Sequence, residues 1–162
     1  MKRNRMRTAV LAVLLLGLST AVSAREDHSC SLASMAGDWE YVFTGTVIMP
    51  TGAAVPAAVV GKSTFDDAGN FSGTQTSSLG GTVNGPETSR GTITSNGDCT
   101  GTITVGIYDQ SGNLIRKATF ASVSNGREGH AIMTSLMVGN TAVAPVVILT
   151  MTKLLPDRGN DE

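Results

Sequence analysis

Between Thr102 and Tyr108 the chain alternates residue by residue, with Ile103, Val105 and Ile107 set between Thr102, Thr104, Gly106 and Tyr108. A period of two marks a half-buried β-strand. The same pattern, followed along the chain, predicts eight strands. The first runs from Trp39 to Ile48 and puts Trp39, Tyr41, Phe43 and Val47 on one face. A loop marked by Pro50, Gly52 and Pro56 leads to the second, Ala57 to Phe65. Asp66-Asp67-Ala68-Gly69-Asn70 turns the chain into the third, Phe71 to Leu79. Gly80 to Pro86 reads as a turn or an irregular strand end, and the fourth strand covers Glu87 to Ser95. Asn96-Gly97 turns into the fifth strand. Asp109-Gln110-Ser111-Gly112-Asn113 leads to the sixth, Leu114 to Ser124, and Asn125-Gly126 to the seventh, Gly129 to Val138. Met133 and Met137 fall on the same side of the seventh. The eighth spans Ala142 to Leu154, with Val143, Val147, Leu149 and Met151 on one face. Pro145 lies near its start, where a proline is tolerated.

Four Gly-Thr pairs, at Gly73, Gly81, Gly91 and Gly101, recur at intervals of eight to ten residues. They fit adjacent short strands joined by tight turns, with no longer repeat unit behind them. No βαβ unit intervenes, so the sheet is expected to be antiparallel. An eight-stranded meander leaves two bare edges, and closure into an up-and-down barrel removes them. The expected fold is therefore all-β, an eight-stranded antiparallel barrel. Its interior would be just wide enough to be filled or to hold one small ligand. A β-sandwich is the alternative, since it too accommodates a buried tryptophan and two cysteines about 70 residues apart. Against it, Gly97 stands where a corner tyrosine would precede Cys99, and Cys30 comes before the first strand.

Composition changes the picture mainly at the chain's ends. Lys2, Arg3, Arg5 and Arg7 precede an apolar run from Ala9 to Leu18, followed by Ala21-Val22-Ser23-Ala24. This is the layout of a secretory signal peptide over residues 1–24, cleaved after Ala24. The apolar run is about half the roughly 20 residues of a membrane-spanning helix, so no span is expected after cleavage. Cys30 follows Arg25-Glu26-Asp27-His28 instead of standing at the cleavage point, which argues against lipidation. The remaining 138 residues suit one domain. Residues 25–37 would form an N-terminal segment with a short helical turn capped by Ser31, residues 38–155 the barrel, and residues 156–162 a flexible polar tail. Eight basic against thirteen acidic residues give the mature chain a net charge of −5, a poor match for nucleic acid. The expected location is secreted or periplasmic. Export makes a Cys30–Cys99 disulfide the favoured use of the two cysteines. The alternative, a reactive or metal-binding pair, lacks a Cys-x-x-Cys motif and has only His28 and His130 to assist.

Gly37-Asp38-Trp39, opening the first strand after a short helical turn, resembles the Gly-x-Trp signature of the lipocalins and wider calycins. That resemblance implies that Trp39 closes one end of the barrel. It also implies that Lys153, or else Arg158, packs across it from the end of the chain. The Thr-Asp-x-x-x-Tyr motif of typical lipocalins is missing, and Asn125-Gly126-Arg127-Glu128 stands at a late turn instead. The chain also resembles small uncharacterised secreted bacterial proteins with Asp-Ala-Gly-Asn and Asp-Cys-Thr-Gly-Thr turns. A related reading is the allene-oxide-cyclase-like barrel, whose members include cyclising enzymes, and no residue motif here carries it.

Candidate chemistry is sparse. Glu128 and His130 flank Gly129 and could act as an acid–base pair, with Tyr108 as a further polar candidate, but turns collect polar residues without catalysis. No Gly-x-Ser-x-Gly elbow, phosphate loop or dinucleotide motif occurs. Asp66, Asp67 and Asn70 offer oxygen ligands to calcium, and a plain turn explains them more simply. No metal site or cofactor is expected. Flexible thioethers suit an adaptable apolar cavity as well as an ordinary core. The favoured expectation is a secreted, non-enzymatic barrel that binds a small apolar ligand. Tyr41, Phe43, Ile103, Val105, Ile107, Met133 and Met137 would make the contacts. One alternative is a cyclase or isomerase. The other is a structural or surface-interaction protein whose Ser and Thr faces meet a partner.

Overall fold

In the computed structural model, which describes residues 30–155, one short helix precedes eight strands. The helix is α1 (Leu32–Met35). The strands are β1 (Gly37–Ile48), β2 (Ala54–Phe65), β3 (Asn70–Leu79), β4 (Thr82–Ser95), β5 (Thr100–Tyr108), β6 (Leu114–Ser124), β7 (Glu128–Val138) and β8 (Thr141–Lys153). Each strand pairs antiparallel with the next, and β8 returns to β1, so the meander closes into a barrel. The β1–β8 ladder runs from Trp39 opposite Lys153 to Ile48 opposite Ala144. A sandwich has no such closing ladder, and that alternative falls. The expected signal peptide and tail lie outside the described residues, as do His28 and Arg158. No helix among the described residues is long and apolar enough to cross a membrane.

Two expected loop segments are strand. Pro56 lies inside β2, opposite Thr46 of β1. Its carbonyl accepts from the Gly80 amide at 2.8 Å, and the β2–β3 ladder begins only at Ala57. A residue's N–H and C=O point to the same side of a strand, so the proline forgoes only the reciprocal bond to Gly80, at the end of that ladder. The segment Gly80–Pro86 is also mostly strand. Gly80 and Gly81, both at positive φ, make a two-residue turn, and β4 starts at Thr82. A register shift between Gln75 and Ser77 then absorbs the irregularity.

One end of the barrel is plugged. Trp39 is fully buried, and its indole N–H donates to the Met35 carbonyl of α1 at 2.7 Å. Phe65 meets Trp39 edge-on with ring centroids 6.0 Å apart, and Phe71 stacks on Phe65 at 4.8 Å. Lys153, the register partner of Trp39, donates from Nζ to the Ser34 carbonyl at 2.8 Å. Its stem passes over Gly37, where a Cβ would lie 3.2 Å from the lysine Cε.

Cys30 and Cys99 form a disulfide with a sequence separation of 69. It ties the segment before α1 to the turn between β4 and β5. Ser95 donates its hydroxyl to the Cys30 carbonyl, and the Ser124 amide donates to the Cys99 carbonyl at 3.0 Å. Cross-linking a loop of this length stabilises by about 4 kcal/mol in the chain-entropy model. The C30A/C99A variant is therefore expected to lose about that much stability in urea unfolding. A loss under about 1 kcal/mol would show that the serine contacts hold the segment without the cross-link.

Candidate functional site

Rows of paired residues run around the inner wall. One joins Tyr41, Gly61, Gln75 and Glu87 across β1 to β4. The adjacent row joins Trp39, Ser63, Gly73, Ser89 and Ile107 across β1 to β5. Gly61 leaves room for the Tyr41 ring, because a Cβ there would lie 2.7 Å from the phenol oxygen.

The first row is hydrogen-bonded end to end. The Tyr41 hydroxyl donates to Gln75 Oε1 at 3.0 Å, and Gln75 Nε2 donates to Glu87 Oε2 at 2.9 Å. The other Glu87 oxygen accepts from Ser77 Oγ at 3.1 Å and pairs with the Arg116 guanidinium from β6. Arg116 Nη2 also donates to Ser77 Oγ at 3.2 Å. The Glu87 and Arg116 side chains are only 4% and 16% exposed. Burying a carboxylate is costly unless it is paired and hydrogen-bonded, and here both oxygens are engaged. Burial pushes the Tyr41 phenol above its ordinary pKa of 10.0. The nearby Ser89 and Ser63 hydroxyls pull it back, and the Glu87 charge adds to the rise.

Beside this network lies an interior cavity of about 110 Å³. Tyr41, Phe43, Ile103, Val105, Ile107 and Met133 all line it, as alternation predicts. Met137 does not. Thr134 is an extra residue against β6, where Phe120 pairs with Met133 and Thr119 with Ser135. Thr134 donates its hydroxyl to the Thr119 carbonyl at 3.1 Å. This bulge reverses the facing of every later residue in β7. Leu136 and Val138 therefore reach the cavity, and Met137 faces outward opposite Lys117 and Ala142.

The expected catalytic candidates do not converge. Glu128 and His130 are exposed on the outer face of β7. Tyr108, at the far end of β5, carries the Arg90 guanidinium 5.6 Å over its ring and is not part of the cavity wall. The polar wall includes instead Ser63, Gln75, Ser77, Ser78, Ser89 and Arg116. Strand parity points to these residues: Ser63 shares a face with Phe65, Gln75 with Phe71, and Ser89 with Ile93.

Asp66 accepts hydrogen bonds from the Ala68 and Asn70 amides and the Asn70 side chain. The Asn70 bonds hold its pKa below the ordinary carboxylate value. Its oxygens serve a turn. Among the described residues, no group of three His, Cys, Asp or Glu side chains is placed to hold a metal ion. On the outer wall, Val42, Val60, Ile132, Val146 and Ile148 are exposed apolar residues across β2, β1, β8 and β7. No family model and no curated protein matches the chain, so the calycin resemblance rests on Gly37-Asp38-Trp39 and the strand order.

Removing one member of a buried ion pair strands the other. Arg116→Met is expected to cost about 3–5 kcal/mol, and E87Q/R116M to recover part of that loss, in a double-mutant cycle read by urea unfolding. Tyr41 gives a separate test. Below pH 10 the native and unfolded chains both hold the phenolic proton, and its contribution is fully present. As pH rises above that value the unfolded phenol ionises first, so the native chain binds more protons and stability falls. Urea midpoints between about pH 9 and about pH 11 should drop less steeply for Tyr41→Phe than for the wild type.

Proposed function

We propose that this chain is a secreted, non-enzymatic barrel whose interior binds one small, mainly apolar molecule. The cavity of about 110 Å³ carries this reading. Aliphatic cavities of around 150 Å³ take up benzene, so the occupant of this smaller cavity is a compound of no more than about six heavy atoms. The signal-like residues 1–24 and the Cys30–Cys99 bridge support export to an oxidising compartment. A cyclase or isomerase would have to draw on Glu87 and Tyr41, because Glu128, His130 and Tyr108 do not reach the cavity. Both Glu87 oxygens are engaged by Gln75, Ser77 and Arg116, which favours an anchoring role over proton transfer.

Native mass spectrometry of protein purified from its own host is expected to reveal a retained small molecule that incubation does not convert. Conversion of that molecule would overturn the non-enzymatic reading. Ala118 is buried on the cavity wall, and Ala118→Leu should fill the space. We expect this variant to bind cyclic six-carbon compounds at least about tenfold more weakly than the wild type, a change of about 1.4 kcal/mol. Unchanged binding by a folded A118L protein would place the ligand elsewhere and sink the cavity reading.

A further inference from the structure

Two hydroxyls on the cavity wall border the Tyr41 phenol at one end of the hydrogen-bonded network. Ser63 Oγ and Ser89 Oγ are buried, and apart from their approach to the Tyr41 phenol neither has a hydrogen-bond partner among the described residues. The two serines are 4% and 1% exposed, and both line the cavity. Native interiors leave few such groups unpaired, and each calls for an explanation. Their placement offers one. They flank Gly73, which pairs with Ser63 on one side and Ser89 on the other. Ser63 Oγ leans over the glycine, where a Cβ would lie 2.4 Å from it and 2.1 Å from the Lys62 carbonyl. Gly73 therefore admits no side chain, and β3 places none between the two hydroxyls.

We propose that Ser63 and Ser89 receive the oxygen of a compact, neutral ketone or aldehyde whose hydrocarbon part fills the apolar remainder of the cavity. This rests on the cavity-binding reading above and names the class of its ligand. A carbonyl oxygen has two lone pairs and accepts from donors on both sides. An anion is a poorer fit. Arg116, the cation on the cavity wall, is already paired with Glu87, and that carboxylate would repel a second one. A plain hydrocarbon leaves both hydroxyls unpaired, and such loss discriminates strongly between otherwise similar ligands.

Cyclopentanone and methylenecyclopentane share a ring and a shape and differ in an oxygen against a methylene. Dissociation constants for both, with wild type and with S63A/S89A, are measured by ligand-observed NMR. The wild type should favour the ketone, relative to its hydrocarbon analogue, at least about tenfold more than the double variant does. An equal ratio in the two proteins would overturn the carbonyl assignment while leaving the cavity reading standing. If neither compound binds the wild type, the cavity reading itself fails. Thermal unfolding of Ser63→Ala and Ser89→Ala supplies an independent check. Deleting an unpaired buried hydroxyl is expected not to lower the melting temperature. A drop of several degrees in either variant would reveal a structural partner and overturn the proposal.

Discussion

The ladder between β1 and β8 joins the two ends of the described chain, from Trp39 beside Lys153 to Ile48 beside Ala144. Loop-closure entropy grows only slowly with chain length, so a contact this remote is affordable once the intervening hairpins exist. Without it, β1 and β8 would each present a long unpaired edge. With it, the sheet acquires an inside, and alternation becomes a division between interior and solvent. Trp39 is buried because the closing ladder and α1 meet around it. The Leu154 amide extends that closure by donating to the Asp38 carbonyl at 2.8 Å.

What fills the interior follows from a short supply of rings. The whole sequence has one tryptophan, two tyrosines and four phenylalanines. Trp39, Phe65 and Phe71 gather at the plugged end. Phe43 and Phe120 meet across the lumen at 6.4 Å. The remaining inward positions are aliphatic, small or polar, and they leave space. The polar ones lie largely on β2, β3 and β4, with Arg116 reaching over from β6, while β5, β7 and β8 present apolar side chains to the cavity. Gly61 and Gly73 sit within the polar quadrant, one making room for a phenol and the other keeping two hydroxyls apart from any intervening side chain.

Much of this was legible in residue order. Alternation located the strands, and the inward faces of β1 and β5 followed from parity alone. The glycines of two Gly-Thr pairs, Gly73 and Gly91, turn toward the interior beside exposed Thr74 and Thr92. The polar wall was hidden by habit more than by lack of signal. Ser63, Gln75, Glu87 and Ser89 have inward parity, but serine and glutamate read as solvated until a partner such as Arg116 is known, and that partner lies 29 residues from Glu87 in the chain. Met137 failed for another reason. A bulge is a relation between two strands, and no single strand encodes it. Pro145 was visible in β8, yet its place opposite the gap in β7–β8 pairing between Ile132 and Leu136 emerges only from the register.

The plug at Trp39 and α1 has a kinetic side. Among the described residues the far end of the cavity is rimmed by half-buried Met49, Ala57, Leu79 and Val138. On the proposed reading, a molecule in this chamber would leave past that rim before another took its place. Its residence time would then belong to the occupant and the rim, whatever the concentration of rivals outside.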